Sequence, residues 1–215
     1  MWNQDWTLPE PAVSDYSEEL LSGAEEFSNQ AVFFISRPGG ENADIPTDMA
    51  AVVDGSWAAS GKSYVRGTYD DTMNEGNDWE EGQHYLELSN REKELLELVC
   101  SKFDNVTVIV NTNNAMELGW LDDYEQIGSA IWAPCPGQSG FSALGKIMSG
   151  EVNPSGRTVD TFLRDLTQTP IVNNFGDFVY DNMEEHAYVS TDWITQEEMT
   201  TIPTFVNYVE GIYVG

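Results

Sequence analysis

The stretch Ala31-Val-Phe-Phe-Ile-Ser36 decides the fold, because it is a continuous and partly β-branched apolar run of strand length. Residues 106–110, Val-Thr-Val-Ile-Val, repeat this pattern further along the chain. Such runs are typical of strands that are buried on both faces, as in parallel sheets. We predict two more strands, at residues 129–133 and 158–162, and expect all four to lie in a mostly parallel sheet.

Helical segments lie between these strands. Residues 89–92, Ser-Asn-Arg-Glu, match a capping box, and the apolar residues that follow repeat at helical spacing, which predicts a helix from Ser89 to about Phe103. Further helices are predicted at residues 17–27, 115–121 and 140–148. Strands that alternate with helices in this way indicate an α/β fold, a three-layer α/β/α sandwich.

The pattern divides the chain into three parts. Residues 1–30 are predicted to form an N-terminal arm and a helix, residues 31–165 the sandwich domain, and residues 166–215 an irregular tail with a short strand at 205–209. Within the sandwich domain, residues 37–83 form a long loop in which we predict no helix. Long loops in compact domains are mostly functional or mobile, so this loop is the first candidate for a site.

Composition excludes some classes of partner. The 215 residues include 9 Lys and Arg against 37 Asp and Glu, which gives a net charge of −28 at pH 7. Because the basic residues are scattered, we expect binding neither to nucleic acid nor to an anionic membrane surface. The sequence has no apolar stretch of about 18 residues and no signal-peptide pattern near Met1, so we expect a cytoplasmic location.

No motif indicates a cofactor or a metal. The glycine patterns of dinucleotide-binding and P-loop proteins are absent, and His84 and His186 lack zinc-ligand spacing. Cys100 and Cys135 are expected to be ordinary reduced thiols. The run Asn111-Thr-Asn-Asn114 follows the second strand at the edge where ligands bind, although such runs are more often turns that bond their own backbone.

The loop after the first strand carries clustered acids. It contains Glu41, Asp44 and Asp48 beside two glycines at positions 39 and 40. Ligands of open parallel sheets bind at the carboxyl ends of the strands. Because neighbouring like charges disfavour ionisation, one of these carboxyls can keep a proton near neutral pH, as a general acid requires. The alternative is a plain surface loop in which Arg37 and Glu41 form an exposed ion pair of little energetic value.

Several motifs together resemble glycoside hydrolase family 3, in the α/β sandwich domain of its β-glucosidase-like enzymes. The first is Ile35-Ser-Arg-Pro-Gly-Gly-Glu-Asn-Ala-Asp44, which is similar to the family segment I-S-R-x-S-G-E-G-x-D. The most specific is Gly150-Glu-Val-Asn-Pro-Ser-Gly-Arg157, which matches the signature G-x-x-N-P-S-G-[KR]. Other matches occur in the family's order at residues 85–88, 108–118, 132–138 and 205–215, so the resemblance covers most of residues 31–215.

The resemblance implies a function. Enzymes of this family remove terminal non-reducing sugars from β-linked glycosides with retention, using an Asp nucleophile on a TIM barrel and, in many members, a Glu acid/base on the sandwich domain. The matching acid/base is Glu41, while Arg37 and Asp44 match flanking positions that shape the loop or contact substrate. The pattern departs from the family at Asn42, where Gly is usual, and at Ile45, where Arg often stands.

The resemblance also implies a partner domain. A TIM barrel needs about 250 residues, so the 215 residues cannot supply one, and we expect the barrel elsewhere in the same polypeptide. The chain alone is expected to be inactive, and its expected ligand is a β-linked oligosaccharide or glycoside. Two alternatives remain: a non-catalytic carbohydrate-binding or packing scaffold, and a flavodoxin-like cofactor binder.

Overall fold

The computed structural model describes residues 3–7, 10–39, 45–57 and 66–168. The described strands are β1 (Asn3–Asp5), β2 (Gln30–Arg37), β3 (Arg66–Thr68), β4 (Asn105–Thr112) and β5 (Ile127–Trp132), and the described α-helices are α1 (Glu18–Phe27), α2 (Met49–Val53), α3 (Asn90–Lys102) and α4 (Gly137–Met148). Short 3₁₀ helices cover Val13–Asp15, Thr72–Asn74, Gly119–Asp123 and Leu166–Gln168.

The main sheet is parallel throughout its described part. Its strand order is β2-β4-β5, with Phe33 opposite Val108 in the first pair and Val110 opposite Trp132 in the second. The expected parallel sheet is therefore confirmed, and each strand end in it lies one or two residues from its predicted position. Strand ends are the least determined part of such predictions, since the apolar pattern fades there.

The sheet lies between helices, as the three-layer sandwich predicts. On one face, alternate β2 and β4 residues pack with Leu96 and Cys100 of α3 in the main core. On the other face, Phe34 lies edge-on to Phe141 of α4, with 6.1 Å between ring centroids. The capping box at the start of α3 is present, because Ser89 and Glu92 each bond the other's backbone N–H.

A second, smaller core is formed mostly by residues of the long loop. Its buried members are aromatic or large apolar residues: Trp6, Met49, Val52, Trp57, Tyr69, Trp79 and Tyr85. The N-terminal arm joins this core, because β1 pairs in parallel with β3 and the Trp6 indole lies 4.7 Å from the Tyr85 ring. The arm therefore packs on the loop, and the prediction of no helix in the loop is wrong, because its described residues include the short helix α2 and the 3₁₀ helix Thr72–Asn74.

Two predicted elements are wrong. Residues 115–121 do not form a helix, because the N–H of Glu117 bonds to Leu86 O and the N–H of Leu118 bonds to Leu163 O; a 3₁₀ turn begins only at Gly119. Residues 158–162 form no strand, and Val159 is 88% exposed, so its apolar side chain has no core to enter. The strand predicted at 205–209 lies outside the described residues.

The division of the chain at residues 30 and 165 stays a prediction. Within the described part of the chain, no helix is both long and apolar enough to cross a bilayer.

Candidate functional site

The carboxyl ends of three parallel strands meet at one edge of the main sheet. The last residues of β2, β4 and β5 are Arg37, Thr112 and Trp132. The loop with the clustered acids leaves the sheet here, directly after Arg37. This edge is where open parallel sheets bind ligands, so the structure places the start of the candidate loop at the expected edge.

Side chains tie the three strand ends together. The Trp132 indole N–H donates to Thr112 O at 2.9 Å, and the Cys135 thiol donates to Asn113 Oδ1 at 2.5 Å. Asn113 Nδ2 lies 3.5 Å from Gly39 O and donates to it, which links the loop after β4 to the loop after β2. One amide therefore contacts the loops that follow all three strands.

Gly39 lies close to two amide side chains at this edge. A Cβ on Gly39 would lie 3.2 Å from Asn114 Nδ2 and 3.7 Å from Asn113 Nδ2. A side chain at position 39 would therefore require the Asn114 amide to shift by a few tenths of an ångström. The Asn-rich run partly forms the turn that the sequence indicates, since Thr112 Oγ1 donates to Asn114 O at 2.7 Å, but it also reaches across to its neighbours.

Arg37 is buried, with 4% of its surface exposed. Its terminal nitrogens each donate to one Glu92 carboxylate oxygen, Nη1 to Oε1 at 2.6 Å and Nη2 to Oε2 at 2.6 Å. Burial opposes the charge, and the Glu92 carboxylate outweighs it, so the pKa of Arg37 is raised above its usual value. The alternative of an exposed Arg37–Glu41 ion pair does not describe Arg37, because its ion pair with Glu92 is buried and joins β2 to α3.

Backbone carbonyls accept the remaining hydrogen bonds of Arg37. Nε donates to Tyr85 O at 2.7 Å, Nη1 donates to Ser36 O at 2.9 Å, and Nη2 donates to Glu87 O at 2.5 Å. All five donors of the guanidinium are thus used within the chain. This geometry favours the loop-shaping role of Arg37, while its contact with substrate stays a prediction.

Tyr85 holds the next residue of the loop. Its hydroxyl donates to Pro38 O at 3.1 Å, and its ring packs against Trp6. Burial raises the pKa of the Tyr85 phenol, so the hydroxyl stays protonated and can donate at any neutral pH. Residues 37–39 are therefore fixed from three sides, by Glu92, Tyr85 and Asn113.

The acids of the loop fall partly within the described structure. Glu41 and Asp44 lie outside the described residues, so their predicted roles stay predictions. Asp48 is the N-cap of α2, and its Oδ1 accepts from the Ala51 N–H at 3.1 Å. Asp48 thus has a structural partner of its own.

A second group of ionisable side chains lies around His84. His84 Nε2 lies 3.3 Å from Glu87 Oε1 and 3.8 Å from Glu117 Oε2, and its side chain is 6% exposed. Burial lowers the pKa of His84 and raises the pKa of Glu117, because it disfavours the charged form of each group. Glu117 Oε2 also accepts from the Leu166 N–H at 3.0 Å, which fixes residue 166 to this group.

The sequence reasoning missed Glu92 and Tyr85 as parts of the site. The sequence shows Glu92 as the last residue of the capping box and Tyr85 as the first residue of a family motif. Neither signal shows that the two residues converge on Arg37, because 55 and 48 positions separate them from it along the chain. They come together only because residues 85–92 fold against the end of β2.

Comparisons with known proteins agree with the fold. The model of the glycosyl hydrolase family 3 C-terminal domain matches residues 28–215. Beta-glucosidase A of Butyrivibrio fibrisolvens is 31% identical over 184 residues, which are 85% of this chain and 20% of that protein. Beta-glucosidase B of Emericella nidulans is 31% identical over 144 residues, which are 64% of this chain and 15% of that protein.

A solved structure shows the same fold. A β-glucosidase from Paenibacillus barengoltzii superposes with a TM-score of 0.56 at 24% identity, covering 80% of this chain and 15% of that chain. The chain spans about a fifth of the length of Beta-glucosidase A. The family match covers more than four fifths of the chain and confirms the resemblance carried by the motifs, so the chain belongs to glycosyl hydrolase family 3 and contains its C-terminal domain.

Proposed function

We propose that this chain is the acid/base-contributing domain of a retaining, exo-acting β-glycosidase, most specifically a β-glucosidase. The observation that carries the proposal is the place of residues 37–39: they leave the carboxyl edge of a parallel sheet and lead into Glu41, the position that matches the family's acid/base. The relatives named β-glucosidases support the choice of sugar.

Glu41 has two tasks in this reaction. As an acid it gives its proton to the glycosidic oxygen while that bond breaks and a carboxylate nucleophile bonds to the anomeric carbon. As a carboxylate it then takes a proton from the water that displaces the nucleophile, which returns Glu41 to its acid form and releases the sugar. The nucleophile is an Asp on a TIM barrel of the same polypeptide.

The flanking residues have different tasks. Asp44 contacts the substrate near the acid/base. Arg37 also belongs to the proposed substrate-binding set, and its buried ion pair supports a contribution made through the shape of the loop. The acids near Glu41 hold negative charge at the mouth of the site, which favours the protonated form of a carboxyl there.

The test uses the polypeptide that carries this chain together with its barrel. We expect Glu41→Ala to keep kcat/KM within a few-fold for an aryl β-glucoside with a good leaving group, such as 2,4-dinitrophenol. For phenyl β-glucoside, whose leaving group needs the proton, kcat/KM should fall by about 10²- to 10⁴-fold, the usual contribution of a general acid.

Matched measurements separate this proposal from the alternatives. Glu125→Ala removes an exposed glutamate that lies outside the loop and should change neither substrate's kcat/KM. Equal losses on both substrates in Glu41→Ala would contradict the acid/base role and favour the scaffold. The 215-residue chain alone should hydrolyse neither glucoside, and turnover by the chain alone that Glu41→Ala abolishes would place the nucleophile within it.

A further inference from the structure

We propose that Glu92 is a positioning residue for the acid/base loop, acting through Arg37 on the backbone that leads to Glu41. This inference rests on the function proposed above, because it assigns a task relative to Glu41. Glu92 lies on α3 and does not belong to the loop itself.

The Glu92 carboxylate makes two kinds of contact at once. Its Oε2 accepts from the Ser89 N–H at 2.8 Å and so closes the capping box of α3. The same carboxylate accepts hydrogen bonds from both terminal nitrogens of Arg37, each at 2.6 Å. One side chain therefore links the first turn of α3 to the last residue of β2. Because the Arg37–Glu92 pair is planar and has two parallel hydrogen bonds, it fixes the orientation of the guanidinium as well as its distance from the carboxylate.

Tyr85 extends this anchor by one residue toward the loop. Its backbone carbonyl accepts from Arg37 Nε at 2.7 Å, and its hydroxyl donates to Pro38 O at 3.1 Å. Four residue steps separate Arg37 from Glu41, so the two Cα atoms are at most about 14 Å apart. A shift of the backbone at residues 37–38 would therefore move the point from which the chain runs on to Glu41.

Stability alone is a weak reason for this arrangement. A buried ion pair loses most of its Coulomb energy to desolvation, and well-packed apolar residues of similar volume are often as stable or more so. A bidentate pair does hold one geometry, which an apolar contact does not enforce. General acid catalysis depends on such geometry, since a shift of 1 Å can cost about 10²-fold in rate.

The experiment compares leaving groups in the polypeptide that carries this chain and its barrel. The probes are a series of aryl β-glucosides from 2,4-dinitrophenyl to phenyl, and the readout is the dependence of kcat/KM on leaving-group pKa. We expect Glu92→Gln to lower kcat/KM for the phenyl glucoside by about 10-fold or more and for the dinitrophenyl glucoside by less than about 3-fold, because only the former needs the aligned proton. Glu94→Gln is the matched control, since Glu94 lies on the same helix and also pairs with an arginine, Arg91, at 2.7 Å.

The outcome distinguishes positioning from folding. A merely structural loss lowers the amount of active enzyme and so reduces kcat/KM for every glucoside by the same factor. An equal loss across the series in Glu92→Gln, or no loss, overturns the inference. If Glu92→Gln does not fold, Tyr85→Phe provides the same test, because it removes only the hydroxyl that holds Pro38. It should steepen the dependence of kcat/KM on leaving-group pKa in the same direction. An unchanged slope overturns the inference.

Glu41→Ala measured in the same series separates the two proposals. If Glu41→Ala shows a steep leaving-group dependence while Glu92→Gln or Tyr85→Phe does not, the positioning inference fails and the proposed function stands. If Glu41→Ala itself shows no steepening, the acid/base assignment fails first, and with it the basis for assigning Glu92.

Discussion

Glu92 and Arg37 lie 55 positions apart in the sequence, yet both carboxylate oxygens of Glu92 accept from the guanidinium of Arg37 at 2.6 Å. The pair is almost wholly buried, with 2% of the Arg37 side chain and 8% of the Glu92 side chain exposed. It joins the end of β2 to the start of α3 and stands directly before the loop that carries Glu41.

The first prediction concerns the stability of this buried pair. Glu92→Gln leaves the positive charge of Arg37 buried without a counter-charge, so the free energy of unfolding should fall by about 3 kcal/mol. Glu94→Gln breaks a pair whose carboxylate is 44% exposed, and it should cost less than about 1 kcal/mol. Urea denaturation of the 215-residue chain checks both values, and equal losses would contradict a special role of the buried pair.

The second prediction concerns the packing of the N-terminal arm on the loop. A Cβ on Gly67 would lie 2.7 Å from Trp6 Nε1, and Trp6 is 1% exposed, so its ring cannot move into solvent without leaving the small core. Gly67→Ala should therefore destabilise the chain by about 1 to 3 kcal/mol, as overpacking does.

Gly23 provides the control for this substitution. Gly23 lies within α1, and a Cβ there meets nothing within 4 Å. Gly23→Ala should stabilise the chain by about 0.5 to 1 kcal/mol, because alanine is the better helix former. Thermal melts of the two variants should shift in opposite directions, and a gain in Gly67→Ala would show that the arm does not pack on β3.

The third prediction concerns pH and the buried His84. Its pKa is lowered by burial, with smaller opposing effects from Glu117 and Asp165 and a further lowering by Arg37. The folded state therefore binds fewer protons at His84 than the unfolded state does near pH 6.5. The contribution of His84 to the free energy of unfolding is fully kept above the unfolded pKa of 6.5 and is lost as the pH falls below it.

The measurement compares His84→Gln with the unsubstituted chain at two pH values. Between pH 7 and pH 5 the unsubstituted chain should lose more of its free energy of unfolding than His84→Gln does. Only the unsubstituted chain has an imidazole at position 84, and this imidazole takes up a proton more readily in the unfolded state than in the folded one. Glu117 titrates in both proteins, so most of its contribution cancels in the difference. The same change in both proteins between these pH values would contradict the assigned direction for His84.

The sequence carried enough to predict the sheet and its helices. The runs at 31–36 and 106–110 became parallel neighbours, because continuous apolar strands need cover on both faces. The capping box placed the start of α3 because Ser89 and Glu92 interact within one turn. Both are local sequence patterns, and the folded chain adopts the structure that a local pattern favours when tertiary contacts favour the same structure.

What could not be predicted depends on contacts between distant segments. Residues 115–118 are not helical, since the N–H groups of Glu117 and Leu118 find partners in Leu86 and Leu163. The small core of tryptophans and tyrosines unites residues 6, 49–57 and 69–85, which share no periodic pattern. The anchor of Arg37 likewise joins three separate segments, and no spacing in the sequence indicates it.

The identity of the acid/base is tested most directly by the product that Glu41→Ala forms from 2,4-dinitrophenyl β-glucoside in the presence of azide, using the polypeptide with its barrel. Without Glu41, no base activates water, so the glycosyl intermediate accumulates until azide, which needs no base, attacks it. We predict that azide raises kcat and that the product is β-glucosyl azide, formed by two displacements. No rise in kcat, or α-glucosyl azide formed by a single displacement, would contradict the assignment of Glu41 as the acid/base.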